Sequence, residues 1–298
     1  MTDDGSTDAS LDVLNRIARF DARVRVFALS HSGLPAVGRN FAMRQAHGQY
    51  LAFLDSDDLF APDKLQKQLQ VLQEDSSLGL TYSWAEEFWS DPLLHDKPAP
   101  VIWRRFVLPQ RAFSTLLSEG NVVCTSSILM RRSVWERIGD FNEIPALRGM
   151  EDHDFILRVA KHYNIKRTEG FLVQYRLHGT NVSKRNNFEQ FHALKMLLQQ
   201  RNELVGKGGR DFLSGYFMAR AEQGLAGAIV NHSIRVDFIK ALAINPMLWK
   251  RWFLLPLLIL PRALMFRAYV LMKRIQARIE GDAAKPHLFV LKKDSSQK

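Results

Sequence analysis

The stretch Gln49–Asp63, QYLAFLDSDDLFAPD, constrains the fold more than any other part of the chain. Tyr50 to Leu54 are aromatic, aliphatic or alanine, the composition of a strand buried in a parallel sheet. The run passes straight into Asp55, Asp57 and Asp58. Pro62 follows at the start of a helix, where its missing N–H costs nothing. Carboxylates this close repel one another, and a fold accommodates them with a compensating cation or broad solvation. In open α/β sheets, ligands sit at the carboxyl ends of strands, where these carboxylates fall. Two readings fit. Hard oxygen ligands beside a pocket suit Mg2+ or Mn2+, with a phosphate completing the shell. A solvated acidic turn that caps the next helix fits the spacing equally well.

Upstream, Asp3-Asp4-Gly5-Ser6-Thr7-Asp8 predicts a tight turn at Gly5 and a helix capped by Ser6, Thr7 or Asp8. Leu11, Leu14, Ile17 and Ala18 give that helix an apolar face. Arg23–Leu29 alternates as a strand. Ser32–Gly48 predicts a loop and a helix with Arg39 and Asn40 in its first turns and Gly48 as its C-cap. Leu65, Leu69 and Leu72 mark the helix after Pro62, and Leu78–Trp84 the next strand. The alternation of helix and strand is that of an α/β domain. A βαβ protein places a strand before the first turn, and only two residues precede it here. The expectation is an N-terminally truncated domain, or a start assigned too late.

Residues 85–110 hold Pro92, Pro98, Pro100 and Pro109 and predict an excursion from the sheet. Val122–Met130 reads as a strand. Cys124 within it is the single cysteine, which excludes an internal disulfide and a cysteine metal cluster. Ser133–Ile138 predicts a short helix ended by Gly139. Gly149–His162, GMEDHDFILRVAKH, predicts a helix with Phe155, Ile156, Val159 and Ala160 on its apolar face. Glu151, Asp152 and Asp154 crowd its N-terminus. There they either complement the macrodipole or present a general base at the rim of a cleft. Thr168–Leu177 reads as a strand, and His178 just past it is either a polar loop residue or part of a metal shell.

From Asn187 onward the pattern is all-helical. The net charge is +10, yet residues 231–298 carry thirteen Lys/Arg against four Asp/Glu, so the first 230 residues are close to neutral. Within about 247–279, Arg262, Arg267, Lys273, Arg274 and Arg278 recur among Leu, Met, Phe and Tyr. That run is too charged to span a bilayer and matches an interfacial basic helix. A docked core helix or a nucleic-acid arm would share the pattern, but no nucleic-acid module accompanies it. The opening MTDDGSTD lacks the basic and apolar regions of a signal peptide.

DDGSTD, GRNFAMRQAHGQYLAFLDSDD, GMEDHDFILRVA and QYRLHGTNVS occur in this order. Together they resemble the family 2 glycosyltransferases of the GT-A fold, over roughly residues 3–184. The resemblance implies a Rossmann-like, mostly parallel sheet flanked by helices. A helical extension over 185–298 completes the expected organisation. It also implies a UDP- or GDP-type nucleotide-sugar donor, Mn2+ or Mg2+, and inversion at the anomeric carbon. By resemblance, Asp4 reads the nucleotide base and Arg39 lies near the donor. Asp55 and Asp57 form the DxD pair that meets donor and metal, Asp58 stands beside them, and His178 completes the shell. Asp152 is the base and Glu151 its neighbour. A saccharide or lipid-linked acceptor and a peripheral place at the cytoplasmic membrane face are expected from the basic C-terminus. The family begins with a further strand, loop and helix that are missing here. An inactive or partner-binding truncated transferase is therefore the alternative, with a nucleotidyltransferase a third.

Overall fold

The computed structural model describes residues 1–89, 111–121, 123–178, 188–225 and 234–244. The chain divides into two compact units, Met1–Lys184 and Arg185–Lys298. In the first, strand β1 (Thr2–Asp3) pairs in parallel with β2 (Phe27–Ala28), and helix α1 (Ser10–Phe20) connects them. Gly5 turns the chain out of β1 at φ +72°, and a Cβ there would lie 2.8 Å from the His31 backbone nitrogen. Only glycine meets both conditions.

A five-stranded sheet forms the centre of this unit. It comprises β3 (Tyr50–Ala52), β4 (Leu59–Phe60), β5 (Leu78–Trp89), β6 (Leu129–Arg131) and β7 (Asn164–Leu177), in the order β3-β6-β5-β7-β4. The sheet is mixed. β5 and β7 run parallel over the longest register, while β3, β6 and β4 each join antiparallel. β3 pairs with β6 alone among the described residues. Its side chains alternate, with Leu51 and Phe53 buried and Leu54 half-exposed. That is the pattern of a strand with one covered face, not the doubly buried strand its composition suggested.

Helix α2 (Pro35–Gln45) leads into β3. It ends before the expected Gly48, with Ala46 already extended at φ −77° and ψ +147°, and arginines from elsewhere bond the carbonyls at and just past its end. Arg25 bonds the Gln45 carbonyl, and Arg132 bonds those of Ala46 and Gly48. Helix α3 (Lys64–Glu74) buries Lys64, Gln68 and Leu72 rather than Leu65, which is exposed. The polar pair is satisfied: Lys64 Nζ donates to Gln68 Oε1 at 2.6 Å, and Gln68 Nε2 to the Ser127 carbonyl at 2.8 Å. Lys64 also lies 4.1 Å from the Phe60 ring centroid, and burial pulls its pKa down to about 7.

Helices α4 (Ala112–Glu119), α5 (Arg132–Ile138) and α6 (Glu151–His162) complete the unit. Gly139 stops α5 at φ +83°, as expected. The expected strand over 122–130 is a 3-10 turn, Thr125–Ser127, followed by β6. Asn40 of α2 fixes the segment leading to α6. Its side chain is buried and exchanges hydrogen bonds with the Phe141 N–H and C=O at 2.8 and 2.9 Å. Phe141 in turn stacks on Phe155 of α6, with centroids 4.1 Å apart. Asn40→Ala leaves both backbone groups unpaired. The bond from its Nδ2 to Glu143 Oε1 at 2.8 Å goes as well, and we expect the three lost bonds and the desolvation to cost about 2–4 kcal/mol in urea unfolding.

The second unit contains α7 (Phe188–Gln200), α8 (Gly206–Leu225) and α9 (Ile234–Ile244). Arg220 of α8 makes two 2.6 Å bonds to the buried Asp237 of α9, and Ser214 bonds the Ala241 carbonyl. No helix among the described residues is long and apolar enough to cross a membrane. Residues 85–89, expected to leave the sheet, continue β5 in register with β7; the expectations for residues 90–110 and 247–279 lie outside the described residues.

Candidate active site

The turn after β3 spreads its three carboxylates in three directions. Both oxygens of Asp55 accept from the one nitrogen Arg39 Nη2, at 2.8 and 3.0 Å. Asp58 turns into the protein, where Ser126 Oγ donates to it at 2.6 Å and the Arg176 N–H at 3.1 Å. Burial pushes its pKa up to about 6, against the pull of those bonds. Asp57 stays at the surface, with its Oδ2 2.8 Å from His178 Nε2 at the end of β7. Both side chains are about one-third exposed, at 34% and 30%. Arg176 Nε holds the Asp57 carbonyl at 2.8 Å, so β7 fixes the turn through backbone as well as side chain.

Among the described residues, no three His, Cys, Asp or Glu side chains converge in metal-binding geometry. Asp57 and His178 are the pair the fold brings together from the four expected ligands, Asp55, Asp57, Asp58 and His178. A carboxylate and an imidazole side by side at an open turn are donors that suit a divalent cation whose other ligands come from phosphate and water.

The second locus is the N-terminus of α6. Glu151 is buried and accepts Arg39 Nη1 at 2.9 Å and the Gly149 N–H. Arg39 therefore holds Asp55 and Glu151 at once, joining segments that lie 16 and 112 residues from it in the chain. Burial opposes its charge, but the two carboxylates outweigh that and raise its pKa. Its guanidinium also lies over the Phe141 ring, 5.7 Å from the centroid. Asp152 accepts from Asn121 Nδ2 at 2.8 Å, Thr125 Oγ1 at 3.2 Å and the His153 N–H at 2.7 Å. Burial, followed by the charge of Glu151, pushes its pKa up to about 7, with Arg39 pulling the other way. Such a carboxylate is matched to proton abstraction near neutrality. Asp154 is buried and pairs instead with Arg158 one turn along α6, whose Nε lies 3.1 Å from its Oδ2.

Asp4 sits at the loop before α2. Its Oδ1 accepts the Ser32 N–H and hydroxyl at 2.9 and 2.8 Å, and its Oδ2 the Gly33 N–H at 2.8 Å. Burial is the largest single influence and raises its pKa, but these bonds together with nearby His31 outweigh it and bring the group below the usual carboxylate range. Asp3, buried beside it, accepts the Ser6 N–H at 3.0 Å and shapes the turn. Sequence reasoning missed Asn121, Thr125 and Ser126. For Thr125 and Ser126 the one signal was a polar TSS inside an apolar run.

The description "Glycosyl transferase family 2" matches residues 1–139. EpsH of Bacillus subtilis, provisionally named a glycosyltransferase, is 30% identical over 217 residues, covering 68% of this chain and 61% of EpsH. A chondroitin synthase of Escherichia coli is 26% identical over 203 residues, covering 68% of this chain and 28% of the synthase. The chain thus spans less than two thirds of either relative. Staphylococcus aureus TarS 1–349 superposes with a TM-score of 0.58 at 17% identity, covering 95% of this chain and 82% of that fragment. Its complex with UDP-GlcNAc superposes at 0.56. At that identity the likeness speaks for the fold, a GT-A glycosyltransferase fold.

Proposed function

Residues 1–139 make this chain a member of glycosyl transferase family 2, and from that premise we propose that it transfers a sugar, with inversion, from a nucleotide-diphosphate donor to an acceptor hydroxyl. The observation that carries the reading is Arg39, whose one guanidinium joins the acidic turn after β3 to the acidic N-terminus of α6. A donor-side turn and a basic carboxylate are the two parts that direct displacement needs. The TarS complex with UDP-GlcNAc and the chondroitin synthase support a nucleotide-sugar donor and a polysaccharide or glycolipid product.

Asp152 takes the acceptor proton as the hydroxyl attacks, because a hydroxyl is a poor nucleophile while it keeps that proton. Glu151 stays bound to Arg39 and keeps the helix end in place. Asp57 and His178 are the residues that would hold Mn2+ or Mg2+. Such a cation, when bound, neutralises charge developing on the leaving diphosphate. Asp55, oriented by Arg39, borders the donor, and Asp4 faces the nucleotide base through the 32–33 loop. Direct displacement requires no enzyme nucleophile, so no covalent step is assigned. The basic run of residues 247–279 is assigned to the cytoplasmic membrane surface, where each cation gains about 1 kcal/mol near anionic lipid.

Calorimetry with UDP and with GDP, with and without Mn2+, tests the donor side. Mn2+ is expected to tighten binding of one nucleotide by about tenfold or more, about 1.4 kcal/mol. Asp57→Ala is expected to lose that increment. Binding of neither nucleotide by the folded chain would remove the donor site from this reading.

A further inference from the structure

The segment 121–127 touches both halves of the site. Asn121 Nδ2 and Thr125 Oγ1 converge on one oxygen of Asp152, Oδ2. The other oxygen, Oδ1, is held by the His153 N–H. The Asn121 amide has one orientation open to it, since its Oδ1 accepts the Val123 N–H at 3.0 Å. Rotating the amide would set oxygen against carboxylate and NH2 against N–H. Ser126, next to Thr125, donates to Asp58 and accepts the Asp55 N–H at 3.0 Å. One short turn therefore ties the acidic turn after β3 to the carboxylate at α6.

We propose that Asn121 and Thr125 are positioning residues that hold the Asp152 carboxylate in one orientation and favour its ionised form. The proposal rests on the reading of Asp152 as the base. Hydrogen bonds donated to a carboxylate stabilise its charged form, and buried sites strengthen the effect. The other charges facing Asp152 are Glu151, which disfavours its ionisation, and Arg39, which favours it but is shared with Asp55 and Glu151. His153 beside it is held neutral by burial, its pKa lowered to about 4. Without the two side-chain donors, the carboxylate is left with one backbone N–H against burial and a neighbouring anion. It then ionises at higher pH and rotates more freely.

The test is 13C NMR of the full chain labelled at its aspartate carboxyl carbons. Asp152 is the resonance that disappears in Asp152→Asn. In Thr125→Val and in Asn121→Leu, its titration midpoint is expected to move up by about 0.5–1 pH unit, the size of one lost hydrogen bond. Thr125→Ser, which keeps the hydroxyl, is expected to leave it in place. Unmoved midpoints in both donor-deleting variants would overturn the proposal, and if one variant fails to fold, the other decides. The underlying reading fails separately, if Asp152→Asn releases nucleotide diphosphate at the parent rate from the UDP- or GDP-sugar that the parent turns over.

Discussion

Replacing Asp152 with asparagine is expected to lower sugar transfer by about 10²–10⁴-fold, the usual contribution of a positioned general base. Donor affinity is expected to stay within about twofold, because the lost interaction forms only as the acceptor proton leaves. The amide oxygen can still accept from Asn121 and Thr125, its NH2 then facing the His153 N–H, and a carboxylate that repels Glu151 is removed, so the loss of stability is expected to be that of one short hydrogen bond at most. The pH profile gives a second reading of the same residue. A base must be ionised, and burial raises this one to about 7. Transfer by the parent chain should therefore rise with pH through about 7, not through the range of an ordinary carboxylate. The residual activity of Asp152→Asn should lack that limb. Initial rates of nucleotide-diphosphate release across pH 5–9, with the UDP- or GDP-sugar that the parent turns over, measure both. An unchanged rate would take the base role from Asp152. A lost rate with lost donor binding would make its role structural.

The parts of this site that sequence reveals are those written into local pattern. The apolar run at 50–54, the proline at 62 and Gly139 each announce an element boundary through backbone chemistry alone. The order of the acidic motifs announces the family. What the sequence hides is how the parts meet. DSDD reads as three equivalent carboxylates, yet Asp58 is buried against Ser126 and the Arg176 N–H, and Asp55 is paired with Arg39. Those fates depend on segments 71 and 118 residues away in the chain, for the Ser126 and Arg176 bonds that anchor the turn. The antiparallel pairing of β3 with β6 is equally non-local, since a short apolar strand carries no mark of its partner's direction. Lys64 and Gln68 show the same limit from the other side. A helical pattern picks out the leucines, and burial follows the hydrogen bond that makes a lysine and a glutamine acceptable inside.

Removing the guanidinium of Arg39 is the change expected to cost the fold most. Its side chain is 14% exposed, and that of its partner Glu151 6%. A surface ion pair contributes little, but deleting one member of a buried pair leaves the other charge uncompensated, at a cost of about 3–5 kcal/mol. In Arg39→Met, Glu151 keeps the Gly149 N–H but loses its cation, and Asp55 loses the Nη2 donor that its two oxygens share. Arg39→Lys should recover only part of the loss, because an ammonium cannot reproduce a planar fork that serves two carboxylates. Urea unfolding followed by circular dichroism measures the cost. Adding Glu151→Gln to Arg39→Met should return part of the stability, since it removes the stranded charge, and that non-additivity identifies the pair as the cause. The functional signature differs from that of Asp152→Asn. With the clamp gone, the acidic turn and the helix end no longer share an anchor, so donor binding and transfer fall together. A loss of stability below about 1 kcal/mol with intact nucleotide binding would mean that packing of Phe53, Phe141 and Phe155 aligns the two loci without the arginine.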